Sequence, residues 1–283
     1  MCSSLDRCKS GLAHENGVTL PGSGRKAGFF PQQGEGQRRR RPPLQRDRLV
    51  LDYLPEFVMV DERYKEITVR MLLNHTSGIP GTINKDSATA VKNRAFVQET
   101  LERLRTTSLV NDPGRISVYC NDGFTVALAL VERVSGLSYA DFVEQNIFSK
   151  LGMTNTSAYL KEGSANVARV YEGESEFPLP LEHLNALASG GIASAAVDLC
   201  KFGEIFQVGS MLTPAMLAEY TRAQYGPETV PAGAPLIDSG LGFDQVQVYK
   251  FRPLGVDVLA KSGRTLHYSA ELYVAPRSAS AWG

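Results

Sequence analysis

The sequence predicts a mixed α/β protein of the α+β kind, on three observations. Segments with helical spacing of apolar residues fill the middle of the chain. Two short strand-like runs, 256–260 and 270–274, face each other across a turn near its end. No regular strand–helix alternation or internal repeat is present, which argues against a parallel doubly wound sheet. With 283 residues, 43% hydrophobic and 21% charged, the chain suits one large domain or two closely joined subdomains with a real core.

The elements follow in chain order. Residues 1–48 lack periodic apolar positions. They hold Gly22, Gly24, Gly28, Gly34 and Gly36, then Arg38-Arg39-Arg40-Arg41-Pro42-Pro43, and such a stretch reads as irregular. From Leu49 the texture is that of a folded domain. Thr68 is a candidate N-cap for a helix carrying Val69, Met71, Leu72 and Leu73. The turn Ser77-Gly78-Ile79-Pro80-Gly81 ends that element. A helix is expected over 94–104, with Phe96, Val97, Leu101 and Leu104 on one side, and then a turn at Asn111-Asp112-Pro113-Gly114. The run 123–134 is apolar nearly all round, which marks a buried helix stopped by Gly136. Ser138-Tyr139-Ala140-Asp141 is a capping box for the next helix, which includes Phe142 and Ile147. A further helix is expected over 195–206, capped by Ser194, with Val197, Leu199, Phe202 and Phe206 inward. The strands 256–260 and 270–274 are expected to pair antiparallel.

Bulk properties exclude several functions. The 30 basic and 30 acidic residues cancel, so net charge gives no reason to expect nucleic acid or an anionic membrane. Arg38 to Arg41 stand without basic or aromatic neighbours and read as a solvated tail. Cys2, Cys8, Cys120 and Cys200 form no CxxC pair, and His14, His75, His183 and His267 are scattered. Free thiols and no metal site are expected. No apolar run reaches the ~18 residues of a membrane span. The first residues have no apolar signal-peptide core, which makes a cytoplasmic location the default expectation. Oligomeric state is left open.

Four segments, in order, carry a family resemblance. They are Leu51-Asp52-Tyr53-Leu54-Pro55-Glu56-Phe57; Ile67 through Asn74-His75-Thr76-Ser77-Gly78-Ile79-Pro80-Gly81; Pro113-Gly114 with Tyr119-Cys120-Asn121, continuing to Gly152-Met153-Thr154-Asn155; and Lys261-Ser262-Gly263. Together they resemble the serine β-lactamase and penicillin-binding-protein superfamily, nearest its class C β-lactamase-related members, over about 49–276. That superfamily includes D-Ala-D-Ala carboxypeptidases, D-aminopeptidases and esterases, and some members are exported. The resemblance implies an antiparallel sheet flanked by helices plus a mostly helical subdomain, and it implies no cofactor. Residues 49–283 would form this domain, without its last strand and C-terminal helix.

The chemistry implied is acyl transfer to a serine. A serine hydroxyl is a poor nucleophile until a base takes its proton. In the superfamily the nucleophile opens a helix in Ser-x-x-Lys, whose spacing sets the lysine one turn along on the same face. Here Ser23-Gly24-Arg25-Lys26, 30 residues before Tyr53, supplies Ser23 as nucleophile and Lys26 as its partner. By the same carry-over, Tyr119 is the general base or acid, and Asn121 bonds Lys26 and the substrate amide. Lys261, Ser262 and Gly263 form the substrate-binding strand, Lys261 and Ser262 holding an anionic group. The Arg264 backbone N–H joins that of Ser23 in the oxyanion hole. His75 and Ser77 invite a catalytic reading, but in this family their motif is structural. His267 reads as a surface residue.

The implied substrate is a β-lactam, a D-Ala-type peptide or a small ester or amide. The stretch after Lys26 contains Gly28, Pro31, Gly34 and Gly36, against the helix the family places there. Two readings follow: an active acyl-enzyme hydrolase, or a non-catalytic relative, either a binding protein or a defective fragment. The abrupt change of texture near residue 48 is itself expected from a shifted reading frame or a misjoined gene, which translation of the neighbouring frames would reveal.

Overall fold

In the computed structural model, residues 43–160, 164, 166–207, 209–226 and 239–276 are described. Ser23 and Lys26 lie outside them, as does most of the segment expected to be irregular. Its last part, 43–48, forms no regular element but is tied to the body. The Tyr53 hydroxyl accepts the Gln45 N–H at 2.8 Å and donates to the Pro43 carbonyl, and Asp47 pairs with Arg70.

A buried helix, α3 (Asn121–Ser135), organises the helical part. Its side chains Val126, Leu128, Ala129 and Leu130 are at most 2% exposed. Each large one contributes on the order of 1.5–3 kcal/mol by leaving water. Around α3 pack α1 (Val69–Leu73), α2 (Phe96–Leu104) and α4 (Tyr139–Val143), with the π-type turn Leu187–Gly191. Thr68 caps α1, accepting the Met71 N–H. Ser138 caps α4, accepting the Asp141 N–H. Gly136 closes α3 in the left-handed conformation at φ 75°, which glycine adopts without strain.

Among the described residues the strands form three two-stranded antiparallel ladders: β1 (Ala88–Thr89) with β3 (His183–Leu184), β2 (Thr156–Ser157) with β4 (Ala193–Ser194), and β5 (Leu259–Arg264) with β6 (Ser269–Val274). Leu259 and Val274 of the last pair form a second apolar cluster with Phe206, Phe243 and Val246, against which Phe202 of α5 (Ala196–Gly203) packs. Helices and antiparallel strands thus coexist without βαβ alternation, in line with the α+β expectation.

Two local expectations need correction. Ser194 does not cap α5; it lies in β4, its hydroxyl 2.7 Å from that of Thr156, and Ala195 precedes the helix without a side-chain cap. Val197 points outward at 69% exposure, while Asp198 is fully buried. The Asp198 carboxylate accepts from Asn155 N–H at 2.6 Å, Thr156 Oγ1 at 3.1 Å and Lys201 Nζ at 2.7 Å. These charge-assisted bonds outweigh the burial of one valine in setting the helix face. The first long strand also starts later than expected. Val256 and Asp257 are exposed, and pairing with β6 runs from Leu259 through Arg264.

Candidate active site

The loop after α1 builds the floor of the site. Asn74 closes the helix, and His75 follows at φ 61°, a conformation uncommon outside glycine. Asn74 Oδ1 accepts the Thr76 N–H and hydroxyl at 3.3 and 2.8 Å. The reversed chain then receives the segment before α3. Val110 N–H donates to Gly78 O at 2.9 Å, Gly114 N–H to Thr76 O at 2.7 Å and Val118 N–H to His75 O at 2.9 Å. Gly78 is required here: at φ 78°, a Cβ would stand 2.3 Å from the Asn111 carbonyl oxygen.

Tyr119 emerges from this frame. It is 57% exposed, one residue before the N-cap of α3. The His75 ring lies beneath it, centroids 4.6 Å apart, and Phe124 contacts the same imidazole at 5.3 Å. His75 Nδ1 accepts the Cys120 N–H at 3.1 Å, which fixes Nδ1 as the unprotonated nitrogen. Burial, reinforced by the Lys261 ammonium, holds His75 down to about 4, so the ring is neutral at physiological pH. Ser77 is no nucleophile: it is 1% exposed and its Oγ accepts the Ile79 N–H.

The next residues are laced to 81–83. The Cys120 thiol donates to Gly81 O at 3.4 Å and its sulfur accepts the Gly123 N–H at 3.2 Å, capping α3. Burial pushes that thiol up to about 12. Asn121 is the first helical residue rather than the cap, and its Nδ2 donates to Thr82 Oγ1 at 2.8 Å. Asp122 is 1% exposed; one oxygen accepts the Ile83 N–H at 2.7 Å and the other has no partner among the described residues. Burial raises its carboxyl to about 6.

Across from Tyr119 runs β5. Lys261 Nζ lies 5.7 Å from the centroid of the Tyr119 ring, so residues 142 positions apart in the chain meet here. Ser262, Gly263 and Arg264 follow, all exposed. A Cβ added at Gly263 would meet nothing within 4 Å among the described residues. Of the expected site residues, the fold brings together Tyr119 and Lys261, with Asn121 just inside α3 and Ser262 to Arg264 along β5.

Asp244 was missed. Its Oδ1 lies 2.6 Å from Lys261 Nζ, and its Oδ2 accepts from the Ser262 N–H and hydroxyl, each at 2.8 Å. No motif marks it; the only local signal is the turn-forming Gly240-Leu241-Gly242 just before it.

Among the described residues no three His, Cys, Asp or Glu side chains gather as a metal site. No described helix is long and apolar enough to cross a membrane.

The fold is that of the serine β-lactamase and penicillin-binding-protein-like superfamily. The family model described as Beta-lactamase matches residues 36–281, and the chain belongs to that family. Penicillin-binding protein 4* of Bacillus subtilis (strain 168) is 29% identical over 171 residues, 54% of this chain and 38% of that protein. The octameric penicillin-binding protein homologue of Pyrococcus abyssi superimposes with a TM-score of 0.64 at 22% identity, over 82% of this chain and 54% of that one. The D-stereospecific amidohydrolase from a Streptomyces species does so with 0.60 at 25% identity, over 82% and 71%. The chain spans less than half the length of the first curated relatives it matches, 38% and 47%.

Proposed function

We propose that the protein is a serine hydrolase that works through an acyl-enzyme. The observation that carries this reading is Tyr119, exposed at the mouth of α3, held on a neutral His75 and facing the Lys261 ammonium. A tyrosine hydroxyl held in place in this way can pass a proton from a serine hydroxyl to a leaving group.

In this reading Ser23 Oγ attacks the substrate carbonyl and its proton passes to Tyr119, with Lys26 as partner in the relay. The tetrahedral oxyanion is held by the backbone N–H groups of Ser23 and Arg264. Tyr119 then returns the proton to the leaving group, and the acyl-serine forms. Water attacks the ester, the same relay takes its proton, and Ser23 is restored. Asn121 orients Lys26 and the substrate amide, while β5 aligns the substrate edge beside Gly263. The substrate class is a β-lactam, a D-amino-acid peptide or amide, or a small ester; the D-stereospecific amidohydrolase named above supports the amide member.

The test is labelling with a fluorophosphonate, an uncharged serine-directed reagent, followed by peptide mapping. Stoichiometric modification at Ser23 is expected. Labelling that survives Ser23→Ala would remove Ser23 as the nucleophile, and no labelling would favour the non-catalytic reading.

A further inference from the structure

The cation of the substrate-binding strand already has an anion. Lys261 Nζ and the Ser262 N–H and hydroxyl are the donors that this strand would offer to a substrate carboxylate. Each of these three groups donates to Asp244, at 2.6, 2.8 and 2.8 Å.

The backbone holds Asp244 in that place. Its N–H and that of Gln245 both donate to Ala260 O, at 3.0 and 3.2 Å, and Ala260 N–H donates to Gln245 O at 2.8 Å. Ser239 Oγ donates to the Asp244 carbonyl at 2.8 Å. The preceding turn closes by the Gly240 N–H to Phe243 O bond and is pinned to α1 by the Gly242 N–H to Leu73 O bond, 3.0 and 3.2 Å. Gly240 has no room for a side chain, because a Cβ would lie 2.4 Å from Val246 Cγ1. Asp244 is therefore an anchored part of the site.

We propose that Asp244 is a specificity-determining residue that fills the carboxylate position of β5, so that the site takes acyl substrates with uncharged rather than anionic leaving groups. The proposal rests on the acyl-transfer reading above and narrows its substrate class to neutral esters and amides.

The physical case is one of charge. Burial works to raise the Asp244 carboxyl, but the Lys261 ammonium and the Ser262 hydrogen bonds outweigh it and hold it below the usual carboxylate range. Asp244 therefore stays ionised. An incoming carboxylate would have to share Lys261 with a like charge, or displace Asp244 and leave that half-buried anion without its partner. A neutral leaving group meets neither cost. The strand's other cation, Arg264, is exposed at its end, where solvent screening weakens its pull on an anion. At the same end Glu182 adds a second carboxylate, accepting from Thr265 Oγ1 at 2.8 Å.

The experiment compares the phenyl and 3-carboxyphenyl esters of one N-acylglycine, with kcat/KM normalised to each ester's rate with hydroxide. The full chain should favour the phenyl ester by about tenfold or more, and Asp244→Asn should shift that ratio toward the carboxyphenyl ester by about tenfold. A wild-type preference for the carboxyphenyl ester, or an unchanged ratio in Asp244→Asn, overturns the proposal. Equilibrium binding of benzoate reads the same charge without turnover. Asp244→Asn should bind it about tenfold more tightly than wild type, and equal affinity also overturns the proposal. If neither protein hydrolyses either ester while the variant gains benzoate affinity, the hydrolase reading falls and the role of Asp244 in excluding anions stands. If the variant fails to fold, the wild-type ester ratio decides.

Discussion

The imidazole of His75 lies 4.6 Å from the ring of Tyr119, tilted by 37°, while its Nδ1 holds the backbone N–H of Cys120. One side chain thus sets both the ring and the backbone of the neighbouring candidate base. His75→Asn keeps a residue that tolerates the left-handed backbone but removes the stacked ring. Turnover of the phenyl ester should fall by about ten- to a hundredfold. His75 positions another residue, so the acidic limb of the pH–rate profile should also move. A loss of thermal stability with the profile unmoved would reduce His75 to a packing role.

Two buried groups beside Tyr119 oppose each other in pH. Asp122 is raised from 3.8 to about 6 by burial. Its folded value lies above its unfolded one, so its contribution to stability is full below about 3.8 and is lost as pH rises through about 6. His75 is lowered from 6.5 to about 4, by burial first and then by Lys261. Its contribution is present above 6.5 and is lost as pH falls through about 4. The slopes of these two groups oppose each other over much of pH 4–6. Asp122→Asn should uncover the His75 limb, with stability falling by about 2–3 kcal/mol from pH 6.5 to 4. Urea midpoints across that range check this; parallel curves for variant and wild type would contradict it.

Two glycines separate folding from substrate binding. Gly78→Ala puts a Cβ 2.3 Å from the Asn111 carbonyl oxygen at φ 78°, and should cost about 2–4 kcal/mol. Gly263→Ala meets nothing within 4 Å among the described residues and should stay within about 0.5 kcal/mol of wild type. Its methyl would stand where the substrate edge is proposed to lie, so kcat/KM should drop by about tenfold or more. Urea denaturation and ester kinetics on both variants distinguish the effects. An active Gly263→Ala enzyme would place the substrate elsewhere.

The two thiols among the described residues divide by environment. Cys120 is 1% exposed and pushed up to about 12, whereas Cys200 is exposed. A thiol reagent at pH 8 should modify Cys200 in the native protein and Cys120 only after unfolding. Peptide mapping by mass spectrometry reads this, and rapid native labelling of Cys120 would contradict its burial against Gly81.

Much of the helical part was legible because its signals are local. Thr68 and Ser138 cap their helices, Gly136 ends α3, and the apolar run after Cys120 is buried. Ser194 misled because a serine before a helix is equally at home in a strand, and pairing with Thr156, 38 residues earlier, decided it. The face of α5 was misread for a similar reason: Asp198 turns inward to partners at 155 and 156 that no helical period reveals. Tyr119 and Lys261 were found through motifs, whereas Asp244 has none. Its role exists only through its partners Lys261 and Ser262, 17 and 18 residues away.

In the proposed reaction the Tyr119 hydroxyl moves the proton in acyl transfer. Tyr119→Phe removes that oxygen and keeps the ring on His75, so thermal stability should be unchanged. The most direct measurement is kcat/KM for the phenyl ester with wild type and Tyr119→Phe side by side. A fall of about a hundred- to ten-thousandfold is expected at an unchanged melting temperature. Equal activity in the two proteins would contradict it.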